Sequence, residues 1–385
     1  MKSCYRQLGE FIRQVDVRNK EGKEENLLGV SVNKKFIPSI ANTVGTDFTK
    51  YKVVKNGQFT YIPDTSRRGD KIGIALLKDY DEGLVSNVYT VFEVIDENKL
   101  LPDYLMLWFS RPEFDRYARF KSHGSVREIF DWDEMCKVEL PVPDIEEQKK
   151  IVHAYKVIED RINLKKRINE NLLSSLENSY KEIFADANTK YEKVSLKDIC
   201  SKIGSGATPK GGKSAYVNAG ISLIRSTNVF DYRFEYDSLA HINQKQADEL
   251  SNVIVEPNDI LFNITGVSVT RCCIVPNDVL PARVNQHVMI IRPNKGRMMS
   301  YYLMFCLCSS DNKAKLLGIS LSGSTREAIN KQEMESYEIP LPNDADLNLF
   351  GNIAKCVYDN IQFNIREIHI LEEMKSTLLA TLSSN

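Results

Sequence analysis

The chain carries a near copy of itself. "HGSVREIFDWDEMCKVELPVP" begins at His123 and "SGSTREAINKQEMESYEIPLP" at Ser322. Gly124, Ser125, Arg127, Glu128, Met135, Pro141 and Pro143 answer to Gly323, Ser324, Arg326, Glu327, Met334, Pro340 and Pro342 at a constant offset of 199. Tyr104 and Tyr302, each followed by Leu-Met, match at an offset of 198, as do Asn87 and Asn285. "GDKIGIALL" from Gly69 resembles "NDILFNITG" from Asn258 at 189, so the loops between landmarks differ in length. A chain of 385 residues is too long for one core and, built this way, folds as two related globules.

After each Pro-x-Pro the sequence changes character. From Asp144 to Phe184 there is neither Pro nor Gly, and Ile151, Tyr155, Ile158 and Ile162, then Ile168, Leu172, Leu176 and Tyr180, form an apolar stripe. Asp144 is placed to cap this helix, with Glu147 three residues on. The second copy runs through Ile353, Val357, Ile361, Ile365, Ile368, Leu371, Met374 and Leu378. Each helix reaches about 40 residues, or about 60 Å. The stripes are most simply buried helix against helix, antiparallel, with the globules at opposite ends of a rod. The expected domains are 1–143 and 187–342, each followed by a spacer helix, 144–186 and 343–385.

Each globule reads as mixed α+β. "ISLIRSTNVF", "DILFNIT", "RCCIVP" and "HVMIIRP" have strand composition, and "KIGSGATPKGGKSAY" reads as a Gly-rich turn region. "ADELSN", "SYYLMFCLCSS" and "PDYLMLWFSRPEFDRYARF" read as helices.

Composition is that of an ordinary cytosolic protein, 42% hydrophobic and 27% charged, with no apolar run of membrane-spanning length. The eight cysteines form no C-x-x-C pair, and Cys306 and Cys308 sit in an apolar stretch where buried packing is expected. Net charge is −1, but residues 187–342 hold 18 Lys+Arg against 15 Asp+Glu, while 343–385 hold 3 against 6. Such a balance permits nucleic-acid binding through local patches without demanding it. No methyltransferase tetrapeptide, phosphate loop or metal-ligand spacing is present, and Asp144, Glu147 and Lys149 fall within one helical turn, as capping requires. The five histidines are scattered.

"HGSVRE" and "SGSTRE" have two readings. They can be structural turns opening a helix, or turns whose backbone N–H groups approach phosphate with Arg127 or Arg326 completing the contact. The other candidate DNA contacts are Lys34, Lys35, Lys50, Lys52, Lys55, Arg67, Arg68 and Asn87 in the first globule. In the second they are Lys210, Lys213, Arg225, Asn228, Arg271, Arg283, Asn285 and Gln286. Arg suits guanine, and Asn or Gln suits adenine.

Two variable α+β globules, each closed by Pro-x-Pro and a long helix, resemble the specificity (S) subunit of Type I restriction–modification systems. The likeness spans the chain and rests on "LKDICSKIGSGATPK", "NDILFNITG", the paired "GSVRE" and "GSTRE", and "PVPDIEEQKKIV" in their repeated order. The first globule departs in lacking the Gly-x-Thr-Pro turn of the second. The resemblance implies two target recognition domains, each reading half of a split double-stranded DNA site, with the helices as a fixed spacer. It implies docking of two methyltransferase subunits that carry S-adenosylmethionine, and of restriction subunits that use ATP and Mg. The chain itself would be non-catalytic and hold no cofactor or metal. The alternatives are an orphan or decoy DNA-binding protein of the same fold without catalytic partners, an enzyme with an unrecognised site, and a coiled-coil scaffold. The dissimilar loop sets argue against the last.

Overall fold

The computed structural model describes residues 5–39, 45–65, 71–122, 128–209, 211–237, 239–322 and 328–382. The chain divides into two compact units, Met1–Lys165 with Arg366–Asn385, and Lys166–Ile365.

In the first unit, strand Tyr5–Gln7 pairs antiparallel with Glu139–Pro141, so the ends of the globule lie side by side. Between them is a four-stranded antiparallel sheet in the order Ile12–Val15, Thr90–Val94, Phe59–Tyr61, Ile74–Leu76. Phe59, Tyr61 and Phe92 turn one face of it onto Leu105, Phe109 and Phe130, all fully buried. The expected helix over residues 102–120 is two, Pro102–Phe109 and Pro112–Lys121. Pro112 lacks an N–H and restricts Arg111, so it starts a new helix.

The second unit repeats this frame. Lys193–Ser195 pairs with Glu338–Pro340, and the sheet order is Cys200–Ser205, Val288–Pro293, Ile260–Asn263, Cys272–Ile274, again antiparallel throughout. Registers agree, since Phe59 faces Phe92 as Ile260 faces Ile291. The Tyr104 hydroxyl donates to the Pro141 carbonyl at 3.0 Å, and the Tyr302 hydroxyl to that of Pro340 at 2.6 Å. Those tyrosines and prolines are the repeated landmarks of the sequence. Gln58 and Asp259 also correspond: each side chain accepts from a backbone N–H three residues back, Lys55 at 2.9 Å and Glu256 at 2.7 Å. Each then crosses to the next strand, Gln58 to Glu93 at 2.7 Å and Asp259 to Arg292 at 2.7 Å.

The outer sheets differ. In the first unit Lys52–Lys55 pairs with Glu82–Val85, and Leu28–Val30 with Phe36–Pro38. In the second, one four-stranded sheet runs Ala240–Ile242, Ile221–Ile224, Ala282–Val284, Ile254–Val255, with Ile221–Ile224 and Ala282–Val284 parallel. The Gly-rich stretch expected as a turn from Lys202 is strand as far as Ser205, because Gly204 pairs with Ile290. At Gly206 a Cβ would lie 1.7 Å from the Val284 carbonyl oxygen, so only glycine fits where the chain leaves the sheet. Cys272, Cys273, Cys306 and Cys308 are buried, in line with the packing role expected for the last two.

The long helices are Ile145–Ile183 and Asp344–Thr381. Asp144 caps the first by accepting the Glu147 N–H at 2.9 Å, and Asn343 caps the second by accepting that of Asp346 at 2.8 Å. They pair antiparallel within each unit. In the first, Ile162 packs with Ile368 and Leu371, Lys165 is 2.9 Å from Glu367, and Lys375 is 3.4 Å from Glu159. In the second, Leu176, Tyr180 and Phe184 pack with Phe350, Ala354 and Tyr358, and the Asn364 amide donates to Asn169 Oδ1 at 2.7 Å. Ile168 and Met374, placed in the apolar stripes, are exposed instead. The 3.6-residue turn drifts against a 3.5-residue repeat and carries such positions off the seam. None of the described helices is long and apolar enough to cross a membrane.

Candidate nucleic-acid interface

The basic and amide candidates separate by what holds them. Lys34 lies in a left-handed turn, and its ammonium contacts Asp115 at 2.5 Å with little of either side chain exposed. Burial lowers its pKa from the ordinary lysine value, with Asp115 opposing the shift. Asn228 is fully buried, receiving the Arg225 N–H at 3.0 Å and donating to the Glu235 carbonyl at 2.9 Å. The buried Arg283 donates to the carbonyls of Ala247 and Ala282, both at 3.0 Å, and burial lowers its pKa. Asn285 accepts the His287 N–H at 3.0 Å. These four side chains hold loops in place and face the protein.

Lys52 is half-buried and donates to the Tyr89 carbonyl at 2.8 Å, its pKa lowered chiefly by burial. Lys35, Lys50, Lys55 and Asn87 are exposed. Lys50 lies 3.4 Å from Asp47, and Ser86 Oγ is 3.4 Å from Asn87 Oδ1. Arg67, Arg68, Arg127, Lys210, Arg326 and the side chain of Lys213 lie outside the described residues. So does most of the repeated phrase, but its downstream edge is clear in both domains. Ile129 bridges to Asp64, and Ala328 to Thr265.

In the second domain several arginines lie against aromatic rings. The Arg271 guanidinium lies 4.8 Å from the centre of the Phe230 ring and that of Arg233 5.0 Å from it. Arg225 lies 5.5 Å from the centre of Tyr216. For Arg271, stacking of this kind leaves guanidinium edges available to donate to phosphate or to guanine. Arg233 has a carboxylate neighbour, Glu235 at 3.5 Å. Arg271 has none among the described residues.

Beyond the end of Ala282–Val284 lies a polar group that the sequence only half revealed. Gln286, a candidate from the start, is exposed. Its Oε1 meets the Thr208 hydroxyl, and its Nε2 lies 3.0 Å from His287 Nε2. His287 Nδ1 lies 2.6 Å from Thr265 Oγ1. Thr208, Thr265 and His287 were not singled out, because their convergence depends on loops far apart in sequence. The available signals were the "GATP" turn and the position of His287 directly after two candidates. Among the described residues no cluster of His, Cys, Asp and Glu could hold a metal.

The family model described as the Type I restriction modification DNA specificity domain matches residues 10–174 and again 188–354. The chain belongs to that family. It is thus a specificity subunit with two target recognition domains, the non-catalytic DNA-recognition component of such systems. It is 22% identical over 309 residues to the Type I restriction enzyme MjaIX specificity subunit of Methanocaldococcus jannaschii, covering 75% of this chain and 70% of that protein. It is 25% identical over 186 residues to the Type I restriction enzyme HindI specificity subunit of Haemophilus influenzae, covering 46% of this chain and 40% of that one. The crystal structure of the Type I restriction-modification S subunit from M. genitalium matches with a TM-score of 0.60 at 13% identity, covering 100% of this chain and 96% of that one, and so shares the fold.

Proposed function

We propose that each domain of this specificity subunit reads one half of a bipartite double-stranded DNA site, and that its long helices dock two methyltransferase subunits. The carrying observation is the twofold repeat of the frame, down to the ties Tyr104–Pro141 and Tyr302–Pro340. A split asymmetric site needs two readers, and two equivalent surfaces suit two copies of one partner. Exposed apolar side chains on the helices support docking. Val157, Leu164 and Ile168 on the first and Phe363, Ile370 and Met374 on the second recur at spacings of seven and four. Exposed apolar groups at regular spacing mark partner surfaces. In this reading S-adenosylmethionine belongs to the methyltransferase, ATP and Mg belong to restriction subunits that join the complex, and the assembly works in the cytoplasm.

The decisive experiment maps methylated bases across a genome with and without the chain, supplied with its methyltransferase. The expected result is one split motif that depends on the chain. Exchange of residues 187–342 for the matching domain of another specificity subunit changes one half of that motif only. A methylation pattern indifferent to the chain, or a stable complex with a single methyltransferase at saturation, overturns the reading.

A further inference from the structure

We propose that Gln286 is the adenine reader of the second domain, held in one orientation by a relay through Thr208, His287 and Thr265. The assignment rests on the DNA-reading function proposed above and goes further, to one base and one side chain.

With the Gln286 amide oriented as it is, Oε1 toward Thr208 and Nε2 toward His287, the protons of the relay follow. An amide nitrogen only donates, so at 3.0 Å from His287 Nε2 the Gln286 Nε2 gives a hydrogen and the ring nitrogen accepts. His287 then carries its proton on Nδ1 and donates to Thr265 Oγ1 at 2.6 Å. At the other end of the amide, Oε1 only accepts, so the Thr208 hydroxyl donates to it. His287 is itself fixed by its backbone N–H on Asn285 Oδ1 at 3.0 Å. The Gln286 amide is thus held at both ends, and turning it over requires the Thr208 hydroxyl, the His287 tautomer and the Thr265 hydroxyl to reverse together.

What remains free defines the ligand. Each bond uses one site, leaving one Oε1 lone pair and one Nε2 hydrogen on an exposed side chain. In the major groove adenine offers the matching pair, an N6 donor and an N7 acceptor. Guanine offers two acceptors, O6 and N7, and would set O6 against Oε1. Turning the NH₂ toward O6 would require the whole relay to reverse, so the arrangement disfavours guanine as well as accepting adenine. The adjoining loop is open to a partner, for Val267 is 98% exposed beyond Gly266, which has a φ of +70°. An apolar side chain there suits a thymine methyl group.

The relay also gives a role to the Gly-x-Thr-Pro turn. Gly206, forced to be glycine by the Val284 carbonyl, brings Thr208 back beside Gln286. The first domain has no such turn in its sequence, and Asn87 in its corresponding loop lies beside Ser86, 3.4 Å from its Oγ. The lock is therefore particular to the second domain.

The test selects randomised duplexes with the full-length chain bound to its methyltransferase, then replaces each adenine of the selected site in turn by 7-deazaadenine, which lacks N7. At one adenine of one half-site the replacement is expected to weaken wild-type binding about 10-fold. It should leave binding by Gln286→Ala unchanged, and Gln286→Ala should lose its adenine preference at that position alone. Thr208→Val should admit guanine there while retaining the rest of the site. Retained preference for the first half-site reports an intact fold in each variant. If Gln286→Ala selects the same site with the same 7-deazaadenine profile, the assignment is overturned while DNA reading stands. If wild type enriches no duplex, DNA reading falls and the assignment falls with it.

Discussion

Arg292 grips Asp259 through two hydrogen bonds, Nε to Oδ1 at 2.7 Å and Nη2 to Oδ2 at 2.8 Å. The same point of the first sheet is held by Gln58 and Glu93 at 2.7 Å. Two sheets of one topology therefore use opposite charges at one joint. Asp259 is fully buried, so Arg292→Ala leaves a charge without its partner, at an expected cost of about 3–5 kcal/mol to the second unit. Transplanting the chemistry of the first domain, Asp259→Gln with Arg292→Glu, should recover most of that loss. Denaturant unfolding of the two variants measures both effects.

The tyrosine ties predict how the fold fails in alkali. Burial raises the pKa of Tyr104 to about 12, and burial does the same to Tyr301 and Tyr337. In the unfolded chain a tyrosine loses its proton near pH 10. The stabilisation is therefore complete below pH 10 and declines as pH rises from there through about 12. Tyr104→Phe should lower stability by about 1 kcal/mol at pH 7 and flatten this alkaline decline for the first unit. Melting temperature recorded from pH 8 to pH 12 separates the two effects.

The Asn169–Asn364 pair lies in the seam between the helices, with Asn364 buried. Removing one hydrogen bond of a buried amide costs about 0.5–1.5 kcal/mol. Asn169→Ala is expected to fall in that range. The double change to Leu should match or exceed wild type in stability while loosening helix register. A double-mutant cycle in urea gives the coupling, and methylation mapping shows whether the gap between half-sites blurs.

Arg271, stacked on Phe230 without a carboxylate neighbour among the described residues, is placed to meet phosphate. Arg271→Ala should weaken binding to all duplexes alike and reduce the salt slope of log K by about 1. A loss confined to one base position would mark it as a base reader instead. Titration of labelled duplex at several salt concentrations decides between them.

Most of the frame was legible in the sequence because it is written twice, but the match of "GDKIGIALL" with "NDILFNITG" was wrong: Ile260–Asn263 takes the place of Phe59–Tyr61 in the sheet, and Ile74–Leu76 that of Cys272–Ile274. Tyr104 with Tyr302 and Pro141 with Pro340 recur because a buried hydroxyl must meet a carbonyl in each domain, and such a need leaves the same letters at the same spacing. The helix cap at Asp144 was legible for a local reason, the acidic residue three positions on, whereas the matching cap at Asn343 was not singled out. Gln148 was not. It is fully buried, donating to the carbonyls of Lys99 and Pro143, both at 2.9 Å, where the second domain has the buried Leu347. The interface was legible only in part. A lysine or arginine in a loop reads the same whether it faces solvent or folds inward, and Lys34 and Arg283 fold inward onto partners many residues away. Gln286 was visible as a residue type, but the relay that orients it joins Thr208, Thr265 and His287 through tertiary structure.

Each globule begins and ends on neighbouring strands, Tyr5–Gln7 beside Glu139–Pro141 and Lys193–Ser195 beside Glu338–Pro340. Adjacent strands are about 4.8 Å apart. Whatever lies between those strands is thus a cassette whose entry and exit share one socket. The insert can lengthen, or be replaced outright, without altering where the chain leaves the globule. Each helix then starts from the same spot whichever sequence is being read, so a new specificity can be spliced in as a single uninterrupted stretch of gene.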